Sequence, residues 1–220
     1  MAGNSQPRDK KGRFTSKKGL AAVATAGVVA FGATTGGVGG TAGSLGSGTS
    51  SSVGKNLMAR KADSKRSARA GRPEEAWSRL GMRTLRKTAR EHAECVSHSF
   101  GDVRRFLVRT RCTSLNRMLF TIGDGKASVV VSVAWVAFRT RAQTRQFQDL
   151  MDVHATGDIA PLGGELIGAA GIQFSGHNYD SRLDRTRTVL TVAETETLTG
   201  EFSADDLDTV AEIAALLSRP

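Results

Sequence analysis

Cysteine is scarce in this 220-residue sequence, which contains only Cys95 and Cys112. His92, Cys95 and His98 form an H-x2-C-x2-H pattern, but residues 73–220 contain no second Cys/His cluster that could complete a zinc site. On a continuous helix, His98 would also lie about 240° away from His92. The sequence therefore assigns no metal ligand.

Phosphate-binding and dinucleotide-binding motifs are also lacking. The glycine-rich segment GGELIGAAG (163–171) matches neither G-x-G-x-x-G nor a loop ending in Gly-Lys-Ser/Thr. It is more typical of a tight connection or a mobile lid. No cofactor is therefore expected. Lysine is nearly absent after position 72, a bias typical of high-GC bacterial coding sequences.

The basic charge of the chain lies almost entirely in its N-terminal third. Residues 1–72 carry 13 Lys and Arg against two Asp, whereas the remaining 148 residues are close to neutral. Nucleic acid is therefore expected as a partner only through this basic tail. Within the near-neutral part, residues 73–145 carry a net charge of +8 and residues 146–220 a net charge of −9. This unequal distribution of charge has two interpretations. The folded domain has either a surface on which both signs of charge are mixed, or an electrostatic potential of opposite sign on its two sides, which would bind an anion or orient the domain on a membrane.

An uncharged stretch, residues 19–43, interrupts the basic tail. It contains only five strongly apolar residues before position 38, so it would be a weak membrane-spanning helix. A basic segment precedes it and small residues follow, which is also the pattern of a signal peptide. A disordered Ala/Gly linker is the third alternative. A membrane is the expected partner under the first alternative.

The chain is expected to contain four segments. Residues 1–18 form a disordered basic arm, 19–43 the apolar segment, 44–72 a Gly/Ser-rich and then basic linker, and 73–220 one folded domain. Periodicity in this domain predicts eight elements: a long helix over 73–96, a short helix capped by Ser99, strands at 114–122 and 127–138, a helix capped by Thr140, strands at 172–179 and 188–196, and a helix capped by Ser203. With the two N-terminal helices taken together, this αββαββα order predicts an α+β fold. We expect a four-stranded, mostly antiparallel sheet with helices packed on one face.

Cys95 lies at the end of the long predicted helix and Cys112 just after the short one. The chain turns between them, so the two cysteines could form a disulfide. Such a bond would stabilise the fold by about 3 kcal/mol in the chain-entropy model. The alternative is a pair of independent buried thiols.

Two further groups of residues are weak candidates for a site. Asp152, His154 and Asp158 occur together at a predicted helix end, where an acid beside a histidine could act as a base and its orienting group. A packing or capping role is the favoured interpretation of these three residues. Arg104, Arg105 and Arg109 cluster on the short helix and could bind an anion, or could form a solvated face that pairs with the acidic second half.

Three sequence patterns together carry a family resemblance. They are C…H-x-F-G-D-V…F-L…C-x-S-L-x-R-x-L-F, V-V-V-S-V-A-W-V and D-x-H-x-T-G, all within residues 90–180. The chain resembles small, uncharacterised membrane-associated or exported proteins of high-GC Gram-positive bacteria. The resemblance implies that Cys95 pairs with Cys112 and that the domain is exported, and it carries no activity and no catalytic residue.

The leading expectation is a membrane-anchored or exported binding or interaction module. It would be a single-pass protein of the cell membrane with its domain outside, or a secreted one. The alternative is a cytosolic protein whose basic tail contacts nucleic acid or an acidic partner nonspecifically. An enzyme that works near His154 is the least favoured hypothesis, and the sequence assigns no catalytic residue.

Overall fold

A computed structural model of the protein describes residues 52–220. The predicted basic arm, the apolar segment 19–43 and the first residues of the predicted linker lie outside this range. Within residues 52–220, no helix combines the length and the apolar character needed to cross a membrane.

The structure confirms an α+β fold built on one antiparallel sheet, but the sheet has five strands rather than the four predicted. The strand order is β1-β2-β3-β5-β4, and every neighbouring pair is antiparallel. The helices and strands are α1 (Ser52–Arg69), α2 (Pro73–Arg79), β1 (Arg83–His92), α3 (Gly101–Arg109), β2 (Ser114–Gly123), β3 (Ser128–Ala137), α4 (Arg141–Met151), β4 (Tyr179–Leu183), β5 (Val189–Thr199) and α5 (Ala204–Ala214).

The extra strand comes from the segment for which the sequence predicted one long helix, 73–96. That prediction is wrong because α2 ends at Arg79 and the chain continues as the edge strand β1. Gly81 adopts a left-handed φ of 78°. The amides of Gly81 and Met82 donate to the carbonyls of Ser78 and Trp77, the hydrogen-bond pattern that terminates a helix at glycine.

Helix α1 lies where the sequence predicted a linker with a transient helix. It packs against α2 and α5, and its Ala68 is fully buried. The Ser64 hydroxyl donates to the Ala76 carbonyl of α2. Lys61 and Lys65 both contact the Glu212 carboxylate of α5. Charge pairing and small buried side chains therefore attach α1 to the sheet-packed helices.

The first face of the sheet is covered by α1, α2 and α5. Met118, Phe120 and Ile122 of β2 lie opposite Val133, Val131 and Val129 of β3, as the alternation of these strands predicts. Their core also contains residues from the covering helices, which are Ala68, Trp77, Leu207, Val210 and Ile213.

The second face is also covered, so the prediction of helices on one face is wrong. Val103 and Leu107 of α3 and Phe147 of α4 pack with Val136 of β3 in a separate buried cluster. Apolar side chains alternate on both sides of β3, and exposing either row to water would be unfavourable. Two helical layers therefore sandwich the sheet.

Several local predictions are confirmed. Thr140 and Gln143 form a capping box on α4, and Ser203 and Asp206 form one on α5. The β2–β3 hairpin turns through Asp124 and Gly125, and Gly125 takes a φ of 97°. The strand predicted at 172–179 is displaced, because β4 begins only at Tyr179. Ile172 and Phe174 instead pack from a loop against a small core cluster on the sheet.

Candidate functional site

A disulfide joins Cys95, which follows β1, to Cys112, which follows α3. The two Cα atoms are 6.3 Å apart. Cys95 is 1% exposed and packs in the same cluster as Val103 and Leu107 of α3. The bond therefore fastens the end of the edge strand to the helical layer on the second face, in agreement with the predicted pairing.

His92 and His98 flank this disulfide and contact each other, with ring centroids 4.0 Å apart. They do so because His92 ends a strand and His98 lies in a short 3-10 turn, not because they share a helix. The Arg117 guanidinium donates to Nε2 of His92 at 3.0 Å, which requires that nitrogen to be unprotonated. Burial and the charge of Arg117 lower the pKa of both imidazoles. Within residues 52–220, no group of three or more His, Cys, Asp or Glu side chains is placed to hold a metal.

Asp152, the first of the three candidate residues after α4, is the C-cap of that helix. Its Oδ1 accepts hydrogen bonds from the Tyr179 hydroxyl at 3.1 Å and the Ser181 hydroxyl at 2.9 Å. These contacts join α4 to β4. The geometry gives this carboxylate a structural role between the helix and the strand.

His154 and Asp158 lie beside a small cavity on the second face. The His154 ring stacks on that of His177, with centroids 5.4 Å apart. Oδ1 of Asp158 accepts from the amide of Ile159 at 2.6 Å. The cavity is about 140 Å³, below the range of about 300–1,000 Å³ that is usual for small-molecule sites. The structure therefore brings the candidate residues into one region without forming a ligand-sized pocket there.

Two glycines of the sequence patterns H-x-F-G-D-V and D-x-H-x-T-G have a packing role in this region. Gly101 (φ 61°) and Gly157 (φ 103°) cross so closely that a Cβ on Gly101 would lie 2.6 Å from the Thr156 carbonyl oxygen. This carbonyl accepts from the amides of Asp102 and Val103 and so caps α3. The prediction that Ser99 caps this helix is wrong, because the N-cap is Phe100 and the Ser99 hydroxyl donates to the Val96 carbonyl.

The arginines predicted to bind an anion lie on α3 and are exposed. Arg105 forms an ion pair with Asp102 one turn earlier. Nε of Arg109 donates to the Arg105 carbonyl at 3.3 Å. Arg105 and Arg109 border a cleft of about 420 Å³ over Phe106, but Arg104 does not line it. The three arginines therefore do not converge on one position.

Four other arginines do converge on one cleft, which sequence reasoning missed. We call it the arginine cleft; Arg69, Arg182, Arg185 and Arg219 line it, and Trp135 contributes to its floor. Its volume is about 540 Å³. Arg69 ends α1, Arg182 lies on β4, Arg185 lies in the β4–β5 turn and Arg219 follows α5. Elements far apart in sequence supply these side chains, so no local motif reveals them.

The arginine cleft forms because α5 is much shorter than the strand beneath it. Each has 11 residues, but a helix rises about 1.5 Å per residue and a strand about 3.3 Å. Beyond Ala214 the chain turns over the sheet, where the Leu217 carbonyl accepts from Nε1 of Trp135 at 3.1 Å. Val189 and Thr191, at the start of β5, therefore line an open cleft instead of packing under α5.

Arg182 is the only one of the four arginines that forms an ion pair with another described residue. Its Nε donates to Oδ2 of Asp180 at 2.7 Å. Asp180 is 6% exposed, and burial raises its pKa to about 6 despite the opposing charge of Arg182.

Asp184 is the one carboxylate among the described residues that line the arginine cleft. Its oxygens accept from the amides of Thr186, Thr188 and Val189 within its own turn. Burial acts to raise the pKa of Asp184, but these hydrogen bonds and that from the Thr186 hydroxyl hold it below its ordinary value. The cleft therefore keeps an excess of positive charge.

No protein-family model, no curated protein and no solved structure matches this chain.

Proposed function

We propose that the chain is an exported or membrane-anchored binding module whose folded domain lies outside the cytoplasm. The disulfide between Cys95 and Cys112 is the observation that carries this proposal. Disulfides persist in oxidising compartments and are rare in the reducing cytosol. A domain that depends on this bond is therefore suited to an extracytoplasmic location.

The position of the disulfide supports a structural rather than a catalytic role for the bond. Cys95 is almost fully buried. Reactive cysteines are typically exposed and surrounded by positive charge, whereas Cys95 lies inside a core cluster and Cys112 packs partly buried against it, which protects the bond from exchange. We expect the bond to remain oxidised throughout the life of the protein.

A binding role is favoured because the domain presents a ligand-sized cleft. The arginine cleft has about 540 Å³ of space and positively charged walls. Pockets of this size are usual for small-molecule ligands. The histidine region beside His154 offers a smaller cavity of about 140 Å³.

Thiol accessibility and location in the producing cells test the proposal. Intact cells are treated with an alkylating reagent without reduction, and the purified full chain is weighed by mass spectrometry. We expect two unmodified cysteines before reduction and two modified ones after it. A protease added outside the cells should also remove the folded domain.

Cys95→Ser provides the matched control, because it leaves the partly buried Cys112 as a single alkylatable thiol. Two freely alkylated thiols in the unmutated protein, together with protection from external protease, would contradict the proposal. That result would favour the cytosolic alternative, in which the basic tail contacts nucleic acid.

A further inference from the structure

We infer that the arginine cleft binds a small anionic amphiphile, a molecule with a phosphate or carboxylate head and an apolar body. This inference rests on the proposed binding function and names the chemical class of its ligand.

The first argument is the distribution of charge along the chain. Residues 146–220 contain 13 acidic and only four basic side chains. Three of those four, Arg182, Arg185 and Arg219, line this one cleft, and Arg69 joins them from α1. In a strongly acidic segment, scattered surface arginines would be expected to pair with neighbouring acids, yet only Arg182 of these three forms an ion pair with a described residue, and all three line one cleft.

The second argument is that the nearby carboxylates are already engaged. Asp180 bonds Arg182, and Asp184 accepts amides of its own turn. Among the described residues, Arg69, Arg185 and Arg219 have no acidic partner. Guanidinium groups bind carboxylate and phosphate oxygens in a bidentate manner, so an anion would complete this arrangement.

The third argument concerns the floor of the cleft, which is apolar. Leu183, Val189, Leu216 and Leu217 line it together with Trp135. Trp135 and Leu217 lie buried at the base of this floor, where the indole N–H bonds the Leu217 carbonyl. Leu183, Val189 and Leu216 are only partly buried and offer a ligand their apolar surface. An inorganic anion would leave this floor in water, whereas an apolar body would cover it.

Calorimetric titration of the full-length, oxidised protein tests the inference with three probes. Octyl phosphate, used below its micelle-forming concentration, has both parts of the inferred ligand. Inorganic phosphate has only the head and octanol only the tail. We expect octyl phosphate to bind about tenfold or more tightly than either of the others.

Two double variants with the same change in charge localise the site. Arg185→Gln with Arg219→Gln removes two exposed arginines of the cleft. Arg104→Gln with Arg145→Gln removes two exposed arginines from α3 and α4. We expect the cleft variant to weaken octyl phosphate binding by about tenfold or more and the control variant to leave it nearly unchanged. Ser218→Trp, which fills the cleft without altering its charge, should weaken binding as well.

The source of the amphiphile is distinguished by sedimentation with vesicles. A membrane lipid is supported as the source if the protein binds phosphatidylglycerol vesicles but not phosphatidylcholine vesicles. This binding should be lost in the cleft variant and retained in the control variant. Binding of octyl phosphate without binding to vesicles supports a free amphiphile.

Three results would overturn the inference. They are the absence of octyl phosphate binding, equal loss in both double variants, and binding of inorganic phosphate as tight as that of octyl phosphate. Each can occur while the domain is still shown to be extracytoplasmic, so failure of the ligand class is distinguishable from failure of the proposed function.

Discussion

At the scale of single residues, two glycines with a left-handed φ, Gly101 and Gly157, allow the chain to cross itself closely beside α3. Gly157 takes a φ of 103°, and a Cβ there would collide with the Phe100 carbonyl oxygen. The close approach allows the Thr156 carbonyl to cap α3. The T-G and F-G pairs of the sequence motifs therefore have a packing explanation.

Gly157→Ala should destabilise the protein by about 2–4 kcal/mol, because it combines a strained left-handed φ with a backbone collision. Denaturant unfolding of the purified protein measures the change. Gly125→Ala is the control, since Gly125 has a similar φ of 97° but nothing within 4 Å of the added carbon. We expect that control to cost about 1 kcal/mol. Equal losses in both variants would contradict the role of the crossing.

Asp180 should give stability an unusual dependence on pH. Its folded-state pKa of about 6 exceeds the ordinary 3.8, so the folded protein binds the proton more tightly than the unfolded chain. Stability should therefore fall as pH rises from 3.8 to about 6 and stay low above that value. Arg182 on β4, Lys65 on α1 and Glu212 on α5 are the charged groups that influence this carboxyl.

Asp180→Asn should remove this pH dependence while His92 and His98 contribute equally to both proteins. Those imidazoles have lowered pKa values, so their protonation opposes folding below the ordinary value of 6.5. The difference in unfolding free energy between the variant and the parent should therefore increase from pH 3.8 to about 6. The exposed Asp149→Asn serves as the control, and a constant difference for Asp180→Asn would refute the assignment.

At the scale of elements, the predictions succeeded where the determinants are local. The capping boxes at Thr140 and Ser203 and the Asp-Gly turn depend on residues within four positions of each other. The apolar runs of β2 and β3 are likewise visible in the sequence, because each strand is buried on both faces.

Strand β1 could not be recognised in the same way. It is an edge strand whose residues are mostly exposed, so its position depends on backbone pairing with β2 rather than on an apolar pattern. Gly81 was the available signal, as a glycine placed to end a helix after Leu80. The basic side chains of β1 suit an exposed edge, because charge there opposes pairing with another chain.

Helix α1 should depend on Glu212, the carboxylate that both Lys61 and Lys65 contact. Burial acts to raise the pKa of Glu212, but the hydrogen bonds from the two lysines lower it below its ordinary value. Glu212→Gln should cost about 1–3 kcal/mol and selectively increase amide hydrogen exchange in α1.

Asp63→Asn is the control for this prediction, because Asp63 pairs with Arg66 at the exposed surface of the same helix. We expect it to cost less than about 1 kcal/mol. Unchanged exchange in α1 in the Glu212→Gln variant would show that the helix is attached by other contacts.

At the scale of the whole molecule, the sheet is covered by helices on both faces, and the disulfide links the chain after β1 to the chain after α3 on the second face. The bond closes a segment with a sequence separation of 17 residues. Its stabilising effect in the chain-entropy model is about 3 kcal/mol.

Replacing both cysteines, as Cys95→Ala with Cys112→Ala, should lower the free energy of unfolding by about 3 kcal/mol. The purified variant and its parent are compared by urea unfolding, with and without a reducing agent. Reduction should destabilise the parent and leave the variant unchanged. A parent whose stability does not respond to reduction would contradict the structural role of the bond.

The arginine cleft lay beyond sequence reasoning for a physical reason. Arg69, Arg182, Arg185 and Arg219 come from the end of a helix, a strand, a turn and a C-terminal segment, and only the sheet topology brings them together. The unequal charge of the two halves was visible, but it did not indicate where the few basic residues of the acidic half would lie. By contrast, Asp152, His154 and Asp158 lie close together in the sequence, so a local pattern is enough to identify them.

The placement of the two tryptophans makes tryptophan fluorescence specific to one face of the sheet. Trp77 and Trp135 are the only tryptophans, and both lie in the core on the first face of the sheet. Tryptophan fluorescence therefore observes that face directly, while the disulfide, the four histidines and Tyr179 lie on the other side of the sheet. With Trp77 replaced by Phe, the remaining tryptophan emission comes from Trp135 alone, and this emission reports on events in the arginine cleft that Trp135 lines.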